Sequence, residues 1–200
     1  LRLANATLLP FDFTTLLETV SEYATEVQEL ADTMRKETAR VNKLIAGGEF
    51  KTALDPTKDY GPPARHAPVP HFNFAPLQNA LAALKLAVEE NQQQLDDLDL
   101  DALAPSTLGG LNTLLYTAER LMTREEGLPG REWYRHYLYA PGFYTGYGVK
   151  TLPAIREAIE QRRYDLVDPG MTKTAEVIEA LAERVAEITR SLRALKAPGV

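Results

Sequence analysis

The sequence predicts an all-α protein: an up-and-down bundle of four long helices with an aromatic Gly/Pro-rich loop and one short extra helix. Apolar residues recur at spacings of three and four through four long segments, the period of helices that bury one face. Connections rich in Gly or Pro separate these segments. No segment requires a strand. Because each apolar stripe is narrow, we expect the helices to bury their stripes against one another.

The first predicted helix is the longest. Asp12 is a favoured N-cap residue, the helix is expected to run to about Ala46, and Gly47-Gly48 ends it. Its inward positions are Leu16, Val20, Tyr23, Val27, Leu30, Met34, Val41 and Leu44. About 30 residues at roughly 1.5 Å each make a rod of about 45–50 Å, which needs a comparably long partner.

The second and third predicted helices are shorter. The second begins near Ala75-Pro76, and the third is expected to be capped by Ser106 or Thr107 and to end at Gly127. Their inward residues are Leu77, Ala80, Leu81, Leu84, Ala87, Val88 and Leu95, then Leu111, Leu114, Leu115, Ala118, Leu121 and Met122. The acidic stretch 96–101 between them is expected to be a solvated surface.

The remaining helices follow the aromatic segment. A short helix starts at Pro153 and stops before Asp168-Pro169-Gly170, and the last helix runs from about Thr172 to Leu195. Their inward residues are Ile155, Ala158 and Ile159, then Ala175, Val177, Ile178, Leu181, Val185, Ile188 and Leu192.

Two connections stand out by composition. Residues 47–73 form a Pro-rich loop, which is either a tethered surface loop or an added ligand-binding element. Residues 127–152 form an aromatic loop that holds Trp133 and five tyrosines among Gly and Pro. Aromatic rings with polar tips suit a boundary that is half buried and half wet. The aromatic loop is therefore either a plug for the end of the bundle or a binding surface.

Composition excludes several classes of function. The formal charge is −6 and no basic run occurs, which argues against nucleic acid as a partner. No apolar stretch approaches the roughly 20 residues needed to cross a bilayer. The chain has no cysteine, which rules out disulfides and thiol nucleophiles within it.

Catalytic and metal-binding residues are not predicted in this chain. His66 and His71 lie five residues apart in the Pro-rich loop, which is not a helical ligand pair, and we interpret His136 as a packing and hydrogen-bonding residue. Neither a HExxH zinc motif nor a GxSxG nucleophile motif occurs. The glycines 142, 146 and 148 do not have the spacing of a phosphate-binding loop.

The charged residues near the aromatic loop have plain interpretations. We expect Arg131 and Arg135, which flank the Trp133-Tyr134 pair, to find carboxylate partners within the chain. Acidic residues on helix surfaces are usually solvated. We therefore expect three of them to complete charged helix faces: Glu119, Glu125 and Glu126.

Two motifs resemble a known family. The string GLPGREWYRHYLYAPG and the following YGVKTLPAIREAI match the pattern GLP-x-R-x-(F/W)YRH-x-(I/L)YAP and then (F/L)P-x-I-x-(D/E)A, and Leu1–Phe13, LRLANATLLPFDF, matches LRLAN-x-x-x-LPFD. These patterns are found in the glutamate carboxypeptidase II and transferrin receptor family. The resemblance extends from Leu1 to about Ile188. It departs at Phe50–His71, where family members have a shorter link.

The resemblance implies an assignment for the whole chain. Residues 1–200 are similar to the helical, transferrin receptor-like dimerisation domain, and residues 1–12 to the lead-in from a protease domain that is not in this chain. Family members are mostly zinc exopeptidases, and their zinc ligands lie in the protease domain. The resemblance thus implies a homodimer, a peptide substrate, partner protease and apical domains of the same protein, and zinc bound outside this chain. It also implies a location outside the cytoplasm.

One position carries a sharper implication. In glutamate carboxypeptidase a Lys-Tyr pair in this loop contacts the C-terminal side of the substrate, and alignment on Pro153 and Ile155 puts Tyr147 at the tyrosine. The preceding residue is Gly146 rather than lysine. The resemblance therefore implies substrate binding by Tyr147 and Gly146 in a longer parent protein, without the cation that would favour an acidic substrate residue.

Three functions follow from these observations. The first is the dimerisation and substrate-capping domain of a zinc exopeptidase of the carboxypeptidase or dipeptidase type, the chain alone having no catalytic activity. The second is the partner-binding helical domain of a non-catalytic, receptor-like relative. The third is a free-standing helical scaffold, which the apolar lead-in LRLANATLLPFDF disfavours.

Overall fold

The fold is a helical bundle, as predicted. A computed structural model describes residues 8–50, 63–98 and 105–196 of the chain. Its α-helices are α1 (Phe13–Gly47), α2 (Ala75–Asp96), α3 (Pro105–Thr117), α4 (Pro153–Glu160) and α5 (Val167–Lys196). Much of the predicted lead-in, the centre of the Pro-rich loop and part of the acidic stretch lie outside the described residues, as do the side chains of the two residues predicted to cap α3.

The ends of α1 are where the sequence predicts them. Asp12 is the N-cap, and its Oδ1 accepts a hydrogen bond of 3.0 Å from the Thr15 N–H. At the other end Gly48 has φ +74°, a left-handed conformation that glycine adopts without strain. Its N–H donates to the carbonyl of Ile45.

The buried face of α1 differs from the predicted seam. Val20 and Val27 are buried as expected, but Ala24 and Ala31 are fully buried in place of the larger Tyr23 and Leu30, which are only partly buried. Small side chains allow a neighbouring element to approach closely, so the larger ones lie along the edge of the contact. The spacing of apolar residues therefore predicts the correct side of the helix, but the centre of the buried face lies one position further along the chain than predicted.

The centre of the bundle is the contact between α2 and α5, the most extensive contact between any two described elements. All the residues predicted to face inward on α5 are buried. One polar pair crosses this contact: the Asn91 Nδ2 donates 3.1 Å to the Thr189 Oγ1, and both residues are buried. A satisfied buried pair of this kind fixes the relative position of two helices along their axes.

Three predictions about the elements were wrong. A short antiparallel sheet is present, formed by β1 (Tyr139–Pro141) and β2 (Val149–Thr151). The third helix loses its α-helical form at Thr117 and continues as a 3₁₀-helix (Ala118–Met122) instead of reaching Gly127. The last helix begins at Val167, because Pro169 lies in the first turn, where backbone N–H groups lack helical partners in any case.

Candidate functional site

The second half of the aromatic loop, from Tyr139 to Thr151, folds as a β-hairpin. Its strands β1 and β2 pair in register from Tyr139–Thr151 to Pro141–Val149. The tip, residues 142–148, closes with hydrogen bonds from the Gly142 N–H to the Gly148 carbonyl (2.8 Å) and from the Gly148 N–H to the Thr145 carbonyl (3.2 Å). These bonds give the tip a defined shape.

A compact turn beneath the hairpin joins it to the bundle. The buried Tyr137 hydroxyl donates 2.9 Å to the Gly127 carbonyl, and the Leu128 N–H donates 2.8 Å to the Tyr134 carbonyl. Gly127 has φ +66°, and a Cβ placed there would lie 2.1 Å from the Glu132 carbonyl oxygen. The turn thus requires glycine at position 127 for two separate reasons.

A buried ion pair connects this turn, the hairpin and α4. Arg131 is only 3% exposed, and its Nη2 contacts the Glu157 Oε2 at 2.6 Å. Its Nη1 donates to the Pro141 carbonyl, while the Glu157 Oε1 accepts a 2.7 Å hydrogen bond from the Phe143 N–H. The guanidinium also lies 5.3 Å from the ring centre of Tyr134 and 5.8 Å from that of Phe143. The carboxylate partner predicted for Arg131 is therefore confirmed.

Tyr147 lies at the hairpin tip, where its side chain is fully exposed (102%). Together with Gly146 it forms the rim of an open pocket of about 400 Å³, whose walls are Gly130, Arg131, Trp133, Tyr134, Pro141, Gly142 and Phe143. Gly146 has φ +58° and open space where a Cβ would lie. The two residues predicted to contact substrate are thus adjacent, accessible and on one side of a pocket that also contains three aromatic rings, those of Trp133, Tyr134 and Phe143.

The aromatic residues divide into two groups. Tyr137 is fully buried in the hydrophobic core, as the plug alternative requires of at least some of the rings. Trp133, Tyr144 and Tyr147 are more than two-thirds exposed, so they cannot serve as a plug. Exposed aromatic rings clustered on one loop are typical of an interaction surface. The segment therefore combines a structural part with an exposed part.

His136 has a structural environment, in line with its interpretation as a packing and hydrogen-bonding residue. Its Nδ1 accepts hydrogen bonds from the N–H groups of Leu138 (3.3 Å) and Tyr139 (3.2 Å), and its ring lies 4.1 Å from the Tyr139 ring. Burial lowers the pKa of His136, an effect that the Glu119 carboxylate partly opposes. An Nδ1 that accepts two hydrogen bonds requires the neutral ring.

We expect the stability of the chain to fall as His136 becomes protonated. The folded state binds this proton less tightly than the unfolded chain does, because the pKa of His136 is lower in the folded state. The stability that neutral His136 contributes is therefore complete above a pH of about 6.5, the ordinary pKa, and is lost progressively as the pH falls below that value. Urea unfolding at several pH values between about 5 and 7.5 measures this. His136→Asn, which keeps an acceptor near Nδ1 without titrating, should show a weaker pH dependence; an equal one would contradict the assignment.

The other charged residues near the hairpin are engaged in local contacts or exposed. The Glu119 Oε1 accepts a 3.2 Å hydrogen bond from the Tyr139 hydroxyl. Glu125 and Glu126 lie in a turn rather than on a helix face, and Glu126 pairs with Arg124 (2.7 Å) and Lys173 (3.2 Å). Arg135 is exposed and forms no ion pair with the residues described, so its predicted carboxylate partner is not found there.

Glu157 is a residue of the site that the sequence pattern does not predict. It accepts hydrogen bonds from both Arg131 and Phe143. The available signal was its position on α4 between the inward residues Ile155 and Ala158, since an acidic side chain beside two buried positions needs a partner. The sequence alone could not show that this partner lies 26 residues earlier in the chain.

The described residues include no group of three or more His, Asp or Glu side chains that could hold a metal ion. His66 and His71 are both exposed, and the backbone N–H of His66 is engaged with the Asn42 side chain at 3.2 Å. Within the same residues, no helix combines the length and apolar character needed to span a membrane.

The described residues form a helical bundle with a short, exposed aromatic hairpin, which defines a mostly α-helical domain. The sequence model of the transferrin receptor-like dimerisation domain family matches residues 72–186, more than half of the chain. The chain belongs to this family.

Three curated relatives share one description, that of a probable glutamate carboxypeptidase. They are the probable glutamate carboxypeptidase LAMP1 of Arabidopsis thaliana (26% identity over 163 residues, 82% of this chain and 18% of the relative), a probable glutamate carboxypeptidase of Arthroderma benhamiae (31% over 160 residues, 79% and 17%) and the probable glutamate carboxypeptidase VP8 of Zea mays (26% over 162 residues, 80% and 18%). The chain spans less than a fifth of the length of these relatives.

Proposed function

We propose that this chain is the dimerisation and substrate-capping domain of a zinc-dependent exopeptidase of the glutamate carboxypeptidase type. In this proposal the chain forms the homodimer contact and contributes the aromatic hairpin to the peptide-binding site, while zinc and the catalytic residues belong to other domains of a longer protein, located outside the cytoplasm. The isolated chain then has no peptidase activity. The family of the chain and the names and lengths of its relatives support the proposal.

The observation that carries the capping role is the position of Tyr147. Its phenol extends from a hairpin tip whose first residues are held by the buried Arg131–Glu157 pair. A binding residue works best when a rigid scaffold positions an accessible side chain. A phenol can donate a hydrogen bond to a substrate carboxylate, and the neighbouring pocket of about 400 Å³ has room for a peptide side chain.

The described residues of this chain do not fit zinc. Where the structure describes the chain, the three-ligand groups that a catalytic zinc requires are not found. We therefore assign no step of the reaction to a metal bound here. The role of this chain in the proposed enzyme is to bind and orient the peptide and to exclude water from its end of the site.

Kinetics on the longer protein test the role of Tyr147. Tyr147→Phe removes a hydrogen bond to a charged group, which contributes about 1.5–3 kcal/mol, so KM should rise roughly 10- to 100-fold with kcat little changed, because the bond forms in the ground state and transition state alike. Tyr144→Phe is the matched control, since Tyr144 is an exposed tyrosine on the same tip. Equal KM values for the two variants would contradict the role of Tyr147.

Gly146→Lys tests the basis of specificity. The substitution places a cation beside Tyr147, and the open space at Gly146 accommodates the side chain. The preference for a peptide ending in Glu over one ending in Leu should increase about tenfold. Gly146→Ala carries the same cost of a left-handed backbone without the charge and should leave the preference unchanged. An unchanged preference in the lysine variant would contradict substrate contact at this position.

The receptor-like alternative has a separate test. If the longer protein lacks peptidase activity with added zinc while the chain still self-associates, the capping role fails and the association role remains. For the exopeptidase, we expect the longer protein to be active and the activity to disappear when the upstream domains are removed.

A further inference from the structure

We propose that Arg131 and Glu157 are positioning residues that hold the hairpin tip, and with it Tyr147, in one orientation over the bundle. The contact between Tyr147 and substrate rests on the proposed function. The positioning role of Arg131 and Glu157 rests on the geometry of the pair alone.

The pair binds the backbone at the point where β1 passes into the tip. Arg131 donates to the carbonyl of Pro141, the last residue of β1, and Glu157 accepts from the N–H of Phe143, the second residue of the tip. Two backbone groups on either side of Gly142 are thus bound to one ion pair. Because Glu157 lies on α4, the ion pair attaches the tip to a helix of the bundle.

Burial makes this connection rigid. The Arg131 and Glu157 side chains are only 4% and 13% exposed, and the rings of Tyr134 and Phe143 lie within 6 Å of the guanidinium. An arginine fork with two fixed acceptors loses most of its freedom to reorient. In contrast, Tyr147 itself has no buried surface, so its own contacts cannot define where it lies.

The second strand offers a further anchor of the same kind. The Lys150 Nζ on β2 bonds both carboxylate oxygens of Glu160 on α4 at 2.8 Å. This pair is more exposed than the Arg131–Glu157 pair, and it holds a side chain rather than the backbone of the tip. Arg131 and Glu157 are therefore the residues whose loss should release the tip.

Hydrogen exchange on the purified chain tests the proposal without relying on activity. Arg131→Lys and Glu157→Gln should accelerate exchange at the Gly142 and Phe143 amides about tenfold or more, with the α5 amides unchanged. Glu157→Asp keeps the charge and should restore part of the protection. The matched control is Arg184→Lys, because Arg184 also bonds a backbone carbonyl (Leu114, 3.0 Å) and a carboxylate (Glu187, 3.2 Å), away from the hairpin.

Kinetics on the longer protein then separate this inference from the proposed function. The expected result is a rise in KM with kcat little changed in Arg131→Lys and Glu157→Gln, but not in Arg184→Lys. Faster exchange at the tip with an unchanged KM would support the positioning role and remove the substrate role of Tyr147. Unchanged exchange at Gly142 and Phe143 in both variants would overturn the positioning role, whatever the kinetics.

Discussion

Replacing Arg131 with methionine should lower the free energy of unfolding by about 3–5 kcal/mol, because it leaves the Glu157 carboxylate buried without its partner. The Glu157 side chain is only 13% exposed, so water can replace the guanidinium only in part. For a chain of this size the loss corresponds to a decrease in Tm of roughly 6–20 °C. Urea or thermal unfolding followed by circular dichroism measures it.

Arg193→Met is the control for this prediction. Arg193 contacts Glu90 at 3.2 Å, but both side chains are at least half exposed. Pairs of this kind contribute about 0–1 kcal/mol, so the control variant should unfold close to the unmodified chain. A similar small loss in Arg131→Met would show that the buried pair contributes no more than a surface one.

Gly127→Ala should lower the free energy of unfolding by a similar amount to Arg131→Met. Its Cβ would lie 2.1 Å from the backbone oxygen of Glu132, and the residue has φ +66°. The left-handed conformation alone costs about 1–2 kcal/mol for an alanine, and overpacking against backbone adds about 1–3 kcal/mol. The expected loss is therefore about 2–5 kcal/mol, with the turn around Tyr137 rearranged.

Gly109→Ala provides the opposite expectation for the same chemical change. Gly109 lies inside α3, and a Cβ added there would have no atom of the described residues within 4 Å outside the backbone of the helix itself. Alanine should therefore be neutral or stabilise the chain by about 0.4–1 kcal/mol. If both glycine variants have the same stability, then the close approach at Gly127 is not a constraint on the turn.

The sequence predicts the helices well because helix burial has a strong period. The inward face of α5 and the ends of α1 follow from the spacing of apolar residues and from Asp12 and Gly48. The finer burial of α1 does not follow, since whether Ala24 or Tyr23 lies at the centre of a contact depends on how closely the neighbouring helix approaches. That distance is a tertiary property.

The aromatic segment is predicted less well, for a similar reason. Its strands are three residues long, too short for an alternating pattern to appear. The partner of Arg131 was predicted as a carboxylate but could not be identified as Glu157, because the contact joins residues far apart in the sequence. Motif resemblance predicts Tyr147 as a substrate contact, and the structure adds that this residue is accessible at the rim of a pocket.

The most direct test of the assignment as a dimerisation domain is the mass of the purified chain in solution. Sedimentation equilibrium over a series of concentrations should show association of the 22.2 kDa chain to a dimer of about 44 kDa. The fraction of dimer should increase with concentration. A mass of 22.2 kDa at every concentration would contradict self-association through this domain.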